Sequence, residues 1–129
     1  MDPLTRPTGR PLRVLIIDCH PAFRIAAKAL LQTEGLQVVD DLEPAVAAER
    51  TDAVPQPDVV LIDVCRDSLD GLELARRFAA APHPPAIVLM SAVPADEVLT
   101  AAVGADAFFA KAAVTAESLT RATATARAR

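Results

Sequence analysis

The chain predicts an α/β fold: a three-layer sandwich with helices on both faces of a parallel sheet. Five short runs rich in Val, Ile, Leu or Phe recur along the 129 residues, each bounded by Pro, Gly or charged residues. Such runs read as strands buried on both faces. Helix-length amphipathic or alanine-rich segments separate them, which implies βαβ units with right-handed crossovers. Four of the runs end in one polar residue: VLII in Asp18, VVLI in Asp63, IVLM in Ser91 and AFFA in Lys111. The count is (βα)5, no internal repeat is present, and the length suits one domain.

Residues 1–11 carry prolines at 3, 7 and 11 without apolar periodicity and are expected to form a mobile leader, the domain proper covering 12–129. Arg13–Asp18 is the first strand. His20 and Pro21 open a helix to about Glu34, with Pro at a tolerated first-turn position. Phe23, Ala26, Ala27, Leu30 and Leu31 form its buried stripe, and Gly35 ends it as a C-cap. Leu36–Val39 is a short second strand and Glu43–Thr51 an alanine-rich second helix. Pro55 and Pro57 break the chain before the third strand, Asp58–Asp63. Asp70 is expected to cap a third helix, with Glu73 completing a capping-box-like pattern. On that helix Leu72, Ala75, Arg76 and Ala79 share one side, with Leu74 and Phe78 adjacent. Pro82-His83-Pro84-Pro85 punctuates the approach to the fourth strand, Ala86–Ser91. Pro94–Val103 is a fourth helix ended by Gly104, and Asp106–Ala110 a fifth strand. From Thr115 onward the chain reads as a fifth helix of Ala, Thr and Arg, with few large apolar side chains.

Composition removes several classes of function. A net charge of −4 with no Trp or Tyr gives neither a basic face nor a stacking surface for nucleic acid. No helix-turn-helix is present in the sequence. No apolar run approaches the roughly 20 residues needed to span a bilayer, and no h-region marks a secreted chain. Two cysteines without a signal peptide imply reduced thiols and a cytoplasmic location.

In open parallel sheets ligands sit beyond the carboxyl ends of the strands, near the switch in strand order. Two carboxylates, a hydroxyl and an ammonium converge at that edge here, a set suited to a phosphoryl group on a carboxylate. Plainer roles are open for each. A buried carboxylate beside a lysine is often a structural ion pair, hydroxyls commonly end strands, and His20 reads as a turn residue at a helix start. An enzyme on this fold would need a glycine-rich phosphate loop after the first strand or an aromatic pair placed to sandwich a flavin, and the sequence offers neither.

The stretches VLIIDCHPAFR, PDVVLIDVCRDSLDGLELARRF with its Asp70-Gly71 pair, AIVLMSA and GADAFFAKAA together make the chain, over roughly residues 12–128, resemble the receiver domain of two-component response regulators. The resemblance implies a flavodoxin-like sheet of order 2-1-3-4-5, in agreement with the strand count. It implies that Asp63 accepts a phosphoryl group from a phosphohistidine, a step that needs positioning and charge neutralisation. Lys111 would pair with the phosphoryl oxygens and Ser91 would donate a hydrogen bond to one of them. Ser91 and Phe108 would form the switch pair. Mg²⁺ would be held by Asp18, Asp63 and the backbone carbonyl of Cys65. The implied partners are a histidine kinase or phosphotransfer protein and an output domain or downstream protein. They would read the face made by the fourth helix, fifth strand and fifth helix, where a homodimer would also form. The implied role is a signalling module and not an enzyme with a free substrate.

Three positions depart from the family pattern. Cys19 stands where a second acid usually follows the first strand, and a thiol is a poor ligand for Mg²⁺, so weaker metal affinity is expected. The loop CRDSLDG lacks the usual Met-Pro pair. Ala112 follows Lys111 where many receivers have proline, a change shared with the NarL-type subfamily. Cys19 and Cys65 would lie at one rim, as two inert thiols or as a candidate redox pair or soft-metal site completed by Asp18 and Asp63. Loss of the second acid also supports an alternative role as a phosphorylation-independent pseudo-receiver, responsive to a partner, ligand or redox state.

Overall fold

A computed structural model of the chain describes residues 9–50, 56–64, 70–92 and 104–128. Five strands form one parallel sheet: β1 (Arg13–Ile17), β2 (Gln37–Leu42), β3 (Val59–Asp63), β4 (Ala86–Ser91) and β5 (Ala107–Ala110). Their spatial order is β2-β1-β3-β4-β5, as expected. The helices are α1 (Pro21–Thr33), α2 (Pro44–Glu49), α3 (Asp70–Ala79) and α4 (Ala116–Arg127), with one 3₁₀ turn at Lys111–Ala113. The expected helix over 94–103 lies outside the described residues, as does most of the expected leader.

Side chains alternate across the strands and divide the core in two. Val14, Ile16, Val59, Leu61, Val88 and Met90 pack beneath α1 and α4, against Ala27, Leu31, Leu119 and Ala122. Leu15, Ile17, Val60, Ile62, Ile87 and Leu89 face α2 and α3, against Ala47, Leu74, Ala75 and Phe78. Every residue of β3 and β4 is buried, which explains why their sequences run apolar without alternation. Because the crossover from β1 to β2 runs one way and that from β2 to β3 returns past β1, the change in strand order falls between β1 and β3, and it sets the ends of these strands side by side.

Local chemistry fixes the element ends. Gly35 takes φ 101°, and its N–H donates to the Gln32 carbonyl while Leu36 N–H donates to Leu31. This is a Schellman closure of α1, which favours glycine. Thr115 and Ser118 cap α4 reciprocally, each side-chain oxygen accepting the other's backbone N–H at 3.0 and 2.9 Å. Asp58 and Asp106 precede β3 and β5, and each carboxylate accepts a backbone N–H of the neighbouring strand, from Arg13 at 2.8 Å and Ile87 at 2.7 Å. Those strands therefore begin one residue later than the sequence suggests.

Four expectations need larger correction. β2 is longer than Leu36–Val39 and continues through Asp40 and Asp41. Its acids are tolerated because β2 is an edge strand and they meet Arg50, Arg24 and Lys28. The α1 stripe is narrower than expected: only Ala27 and Leu31 are buried, Phe23 is partly so, and Ala26 and Leu30 are exposed. The third-helix stripe is rotated, since Leu74, Ala75 and Phe78 are buried whereas Arg76 points to solvent beside Glu73 at 3.8 Å. Helix α2 is a shorter element than expected, six residues from Pro44.

Candidate functional site

The carboxyl ends of β1, β3 and β5 bring Asp18, Asp63 and Lys111 together. Asp18 follows β1 and is fully buried, while Asp63 ends β3 at 4% exposure. Lys111 Nζ lies 2.8 Å from Asp18 Oδ2 and 3.3 Å from Asp63 Oδ1. Its reach is set by β5 and the 3₁₀ turn, and its ammonium rests over the Phe23 ring of α1, 4.5 Å from the centroid, in cation–π contact. Burial pushes the Lys111 ammonium down in pKa. The contact with Asp18 and the charge of Asp63 more than offset that, and the net shift is upward. Two carboxylates facing one ammonium leave the pocket with an excess negative charge.

The β1–α1 loop closes the pocket. Asp18 Oδ1 accepts the backbone N–H of His20 at 2.7 Å, an Asx turn that bends the chain directly after the strand. The His20 ring is 64% exposed, yet its Nδ1 lies 3.1 Å from the same oxygen. Cys19 Sγ reaches to 3.7 Å from Asp63 Oδ2 and 3.5 Å from His20 Nδ1. Arg24, one turn into α1, donates through Nη1 to the Asp18 carbonyl at 2.5 Å and through Nε to Asp41 at 3.3 Å. The loop is thus tied to its own helix and to the edge strand.

Opposite this loop, Gly71 packs against the backbone of Asp63. A Cβ on Gly71 would meet the Asp63 carbonyl oxygen at 2.5 Å, which explains a glycine one residue into α3. Ser91 is buried at the end of β4, one residue past Met90, the register partner of Asp63. Phe108 is partly buried on the α2–α3 side of β5 and sits in register with Leu89. Strand alternation therefore gives Ser91 and Phe108 the α2–α3 face, while Asp63 and Lys111 share the α1 face. Cys65, expected to supply a metal-binding carbonyl and a redox partner for Cys19, lies outside the described residues.

His20, Arg24, Phe23 and Gly71 had no assigned role at the site from sequence. The Cys-His dipeptide directly after a strand-end aspartate was the available signal for His20. Asp18 Oδ2 is buried without a hydrogen bond among the described residues, its ion pair with Lys111 lying off hydrogen-bond geometry. Such an oxygen beside a second carboxylate suits a hard divalent cation, whereas the Cys19 thiol does not.

Residues 14–123 match the response regulator receiver domain family. The chain is 29% identical over 82 residues to the virulence-factor transcription regulator BvgA of Bordetella pertussis, spanning 64% of this chain and 39% of BvgA. It is 35% identical over 127 residues to the gliding motility regulatory protein of Myxococcus xanthus, across 93% of this chain and 16% of that protein. It therefore spans less than half the length of either relative. Among solved structures, the signal receiver domain of NarL from Mycobacterium tuberculosis superimposes with a TM-score of 0.72 at 28% identity, covering 92% of this chain and 98% of that one.

Proposed function

The chain belongs to the response regulator receiver domain family, and from that premise we propose that residues 12–129 form a phosphoryl-accepting switch with Asp63 as the acceptor. The observation that supports this most directly is the placement of Lys111 Nζ between Asp63 and Asp18, at 3.3 and 2.8 Å. In the transfer, one Asp63 carboxylate oxygen forms a bond to phosphorus as the bond to a donor phosphohistidine nitrogen breaks, and the departing imidazole takes up a proton. The barrier is mainly positional and electrostatic. Lys111 supplies positive charge where the phosphoryl oxygens would arrive, and Gly71 lets α3 approach the Asp63 backbone closely. Asp18 and Asp63 would hold Mg²⁺, which when bound would offset charge on the phosphoryl group. Replacement of the usual second acid by Cys19 lowers that affinity.

After transfer, the phosphoryl oxygens compete with Asp18 for Lys111, and Ser91, at the end of β4 one residue past the register partner of Asp63, would reach over the strand end to donate to one of them. Movement of Ser91 lets Phe108 repack on its own face of β4 and β5. The partners of this reading are a histidine kinase or phosphotransfer protein as donor and an output domain or downstream protein as reader, with no chemistry on a free substrate. Among the described residues no helix is long and apolar enough to cross a membrane.

Cys19 favours a second reading, a pseudo-receiver that keeps the fold and answers to binding alone. One experiment separates the two: intact-mass spectrometry after incubation with acetyl phosphate, with and without Mg²⁺, beside Asp63→Ala. The expected result is the mass of one phosphoryl group on the wild type only, and only with Mg²⁺. An adduct that persists in Asp63→Ala removes Asp63 as acceptor, and no adduct on folded wild-type protein selects the pseudo-receiver.

A further inference from the structure

The residues that depart from a hard-cation pocket form a second donor set. The ligating atoms of Asp18, Cys19, His20 and Asp63 all lie within 4.8 Å of one another. A tetrahedral zinc ion with bonds of about 2.3 Å to sulfur and about 2.0–2.1 Å to nitrogen and oxygen holds its donors about 3.3–3.6 Å apart. The pocket already approaches those spacings. Cys19 Sγ is 3.5 Å from His20 Nδ1 and 3.7 Å from Asp63 Oδ2. His20 Nδ1 is 3.1 Å from Asp18 Oδ1 and 4.0 Å from Asp63 Oδ2. Closing on a central ion draws the remaining pairs, which lie within 4.8 Å, inward to the same range.

We propose that Cys19, His20, Asp63 and Asp18 form a binding site for a zinc-class divalent transition ion at the mouth of the phosphoacceptor pocket. Thiolate and imidazole select against Mg²⁺ and for softer ions, and two carboxylates complete a tetrahedral set. Charge agrees. Lys111 cancels one carboxylate, the second carboxylate and a Cys19 thiolate leave two negative charges, and the ion balances them. Cys19 loses its thiol proton to solvent on binding. The loop is also partly preorganised, because the Asx turn holds the His20 backbone on Asp18 at 2.7 Å. Asp18, itself a member of this cluster, is fully buried, with Oδ2 paired to Lys111 at 2.8 Å and Oδ1 facing His20. Cys19 and His20 are both exposed, so an ion can reach them from solvent.

This inference goes beyond the phosphoacceptor reading and shares Asp18 and Asp63 with it, so a bound ion competes with phosphoryl transfer for the Asp63 carboxylate. Its test uses no phosphodonor, so either reading can fail without the other. The full chain is titrated with cobalt(II) and followed by visible and near-ultraviolet absorption, then with zinc(II) to displace the cobalt. The expected result is one equivalent of cobalt with tetrahedral visible bands and a thiolate-to-cobalt charge-transfer band. Cys19→Ser abolishes the charge-transfer band while Cys65→Ser retains it, and His20→Gln weakens zinc binding by about tenfold or more. On the unmodified protein, zinc shifts the His20 imidazole resonances in NMR and leaves those of His83 in place, a reading independent of any variant's folding. Absence of the thiolate band, its loss in Cys65→Ser instead, zinc affinity unchanged in His20→Gln, or unmoved His20 resonances each overturn the site.

Discussion

Lys111 keeps two buried carboxylates in one pocket, and its own titration shows the balance. Burial opposes its charge, and the Asp18 and Asp63 contacts more than restore it, so its folded pKa lies above the ordinary 10.5. A lysine raised in this way contributes stability that is fully present below its unfolded pKa and is lost as pH rises through the folded value. Lys111→Met keeps the side-chain volume but removes the ammonium over Phe23 and leaves Asp18 and Asp63 facing each other. The expected cost is about 2–4 kcal/mol at neutral pH. In urea denaturation the gap between wild type and variant stays level from about pH 7 to 9 and narrows in more alkaline solution, as wild-type Lys111 loses its proton. A gap that instead stays level into alkaline solution would show that Lys111 acts through packing. Asp18, Asp63 and Lys111 were legible from sequence because each ends an apolar run, where a parallel sheet gathers polar groups. His20 was not, because its proximity to Asp18 follows from an Asx turn and from χ angles that no residue pattern encodes.

At the scale of elements, α4 depends on a small number of contacts. It is rich in Ala, Thr and Arg, and Leu119 is its only large buried aliphatic side chain. Thr120 and Thr123 return their hydroxyls to the carbonyls of Ala116 and Leu119 at 2.7 and 2.8 Å, which satisfies them but adds little helix propensity. Polar anchors hold both ends: Ala116 N–H donates to Glu34 at 3.2 Å, and Arg127 reaches Asp58 at 2.8 Å. The exposed Arg127 contact is worth little, so docking falls on Leu119. Leu119→Ala is expected to destabilise the domain by about 2–5 kcal/mol in urea denaturation. A loss below about 1 kcal/mol would mean that the caps and end contacts suffice to hold the helix. Buried strands β3 and β4 were legible almost to the residue because burial on both faces leaves an unbroken apolar run. Edge strand β2 was cut short because Asp40 and Asp41 look like a strand end until Arg24, Lys28 and Arg50 are placed beside them.

Among the described residues, burial is graded from the sheet centre to its β5 edge, and the site spans that gradient. Asp63 belongs to β3, every residue of which is buried, whereas all four residues of β5 are partly exposed. Local opening follows burial and contact density. Peptides covering β3 and β4 should therefore exchange amide hydrogen only through global unfolding, and peptides covering 107–113 should exchange through local opening. Lys111 couples the two regions, since its ammonium contacts Asp63 and Asp18 from the 3₁₀ turn after β5. A phosphoryl group on Asp63 would offer this ammonium more negative charge than one carboxylate oxygen does. The labile edge would tighten while the already rigid centre changes little. With acetyl phosphate and Mg²⁺, exchange across 107–113 is expected to slow by roughly fivefold or more, the lower range of ordinary allosteric coupling, with β3 and β4 unaffected. Asp63→Ala should abolish the effect. A uniform slowing of the whole sheet would instead describe general stabilisation by ligand, and would remove Lys111 as the link between modified aspartate and outer strand.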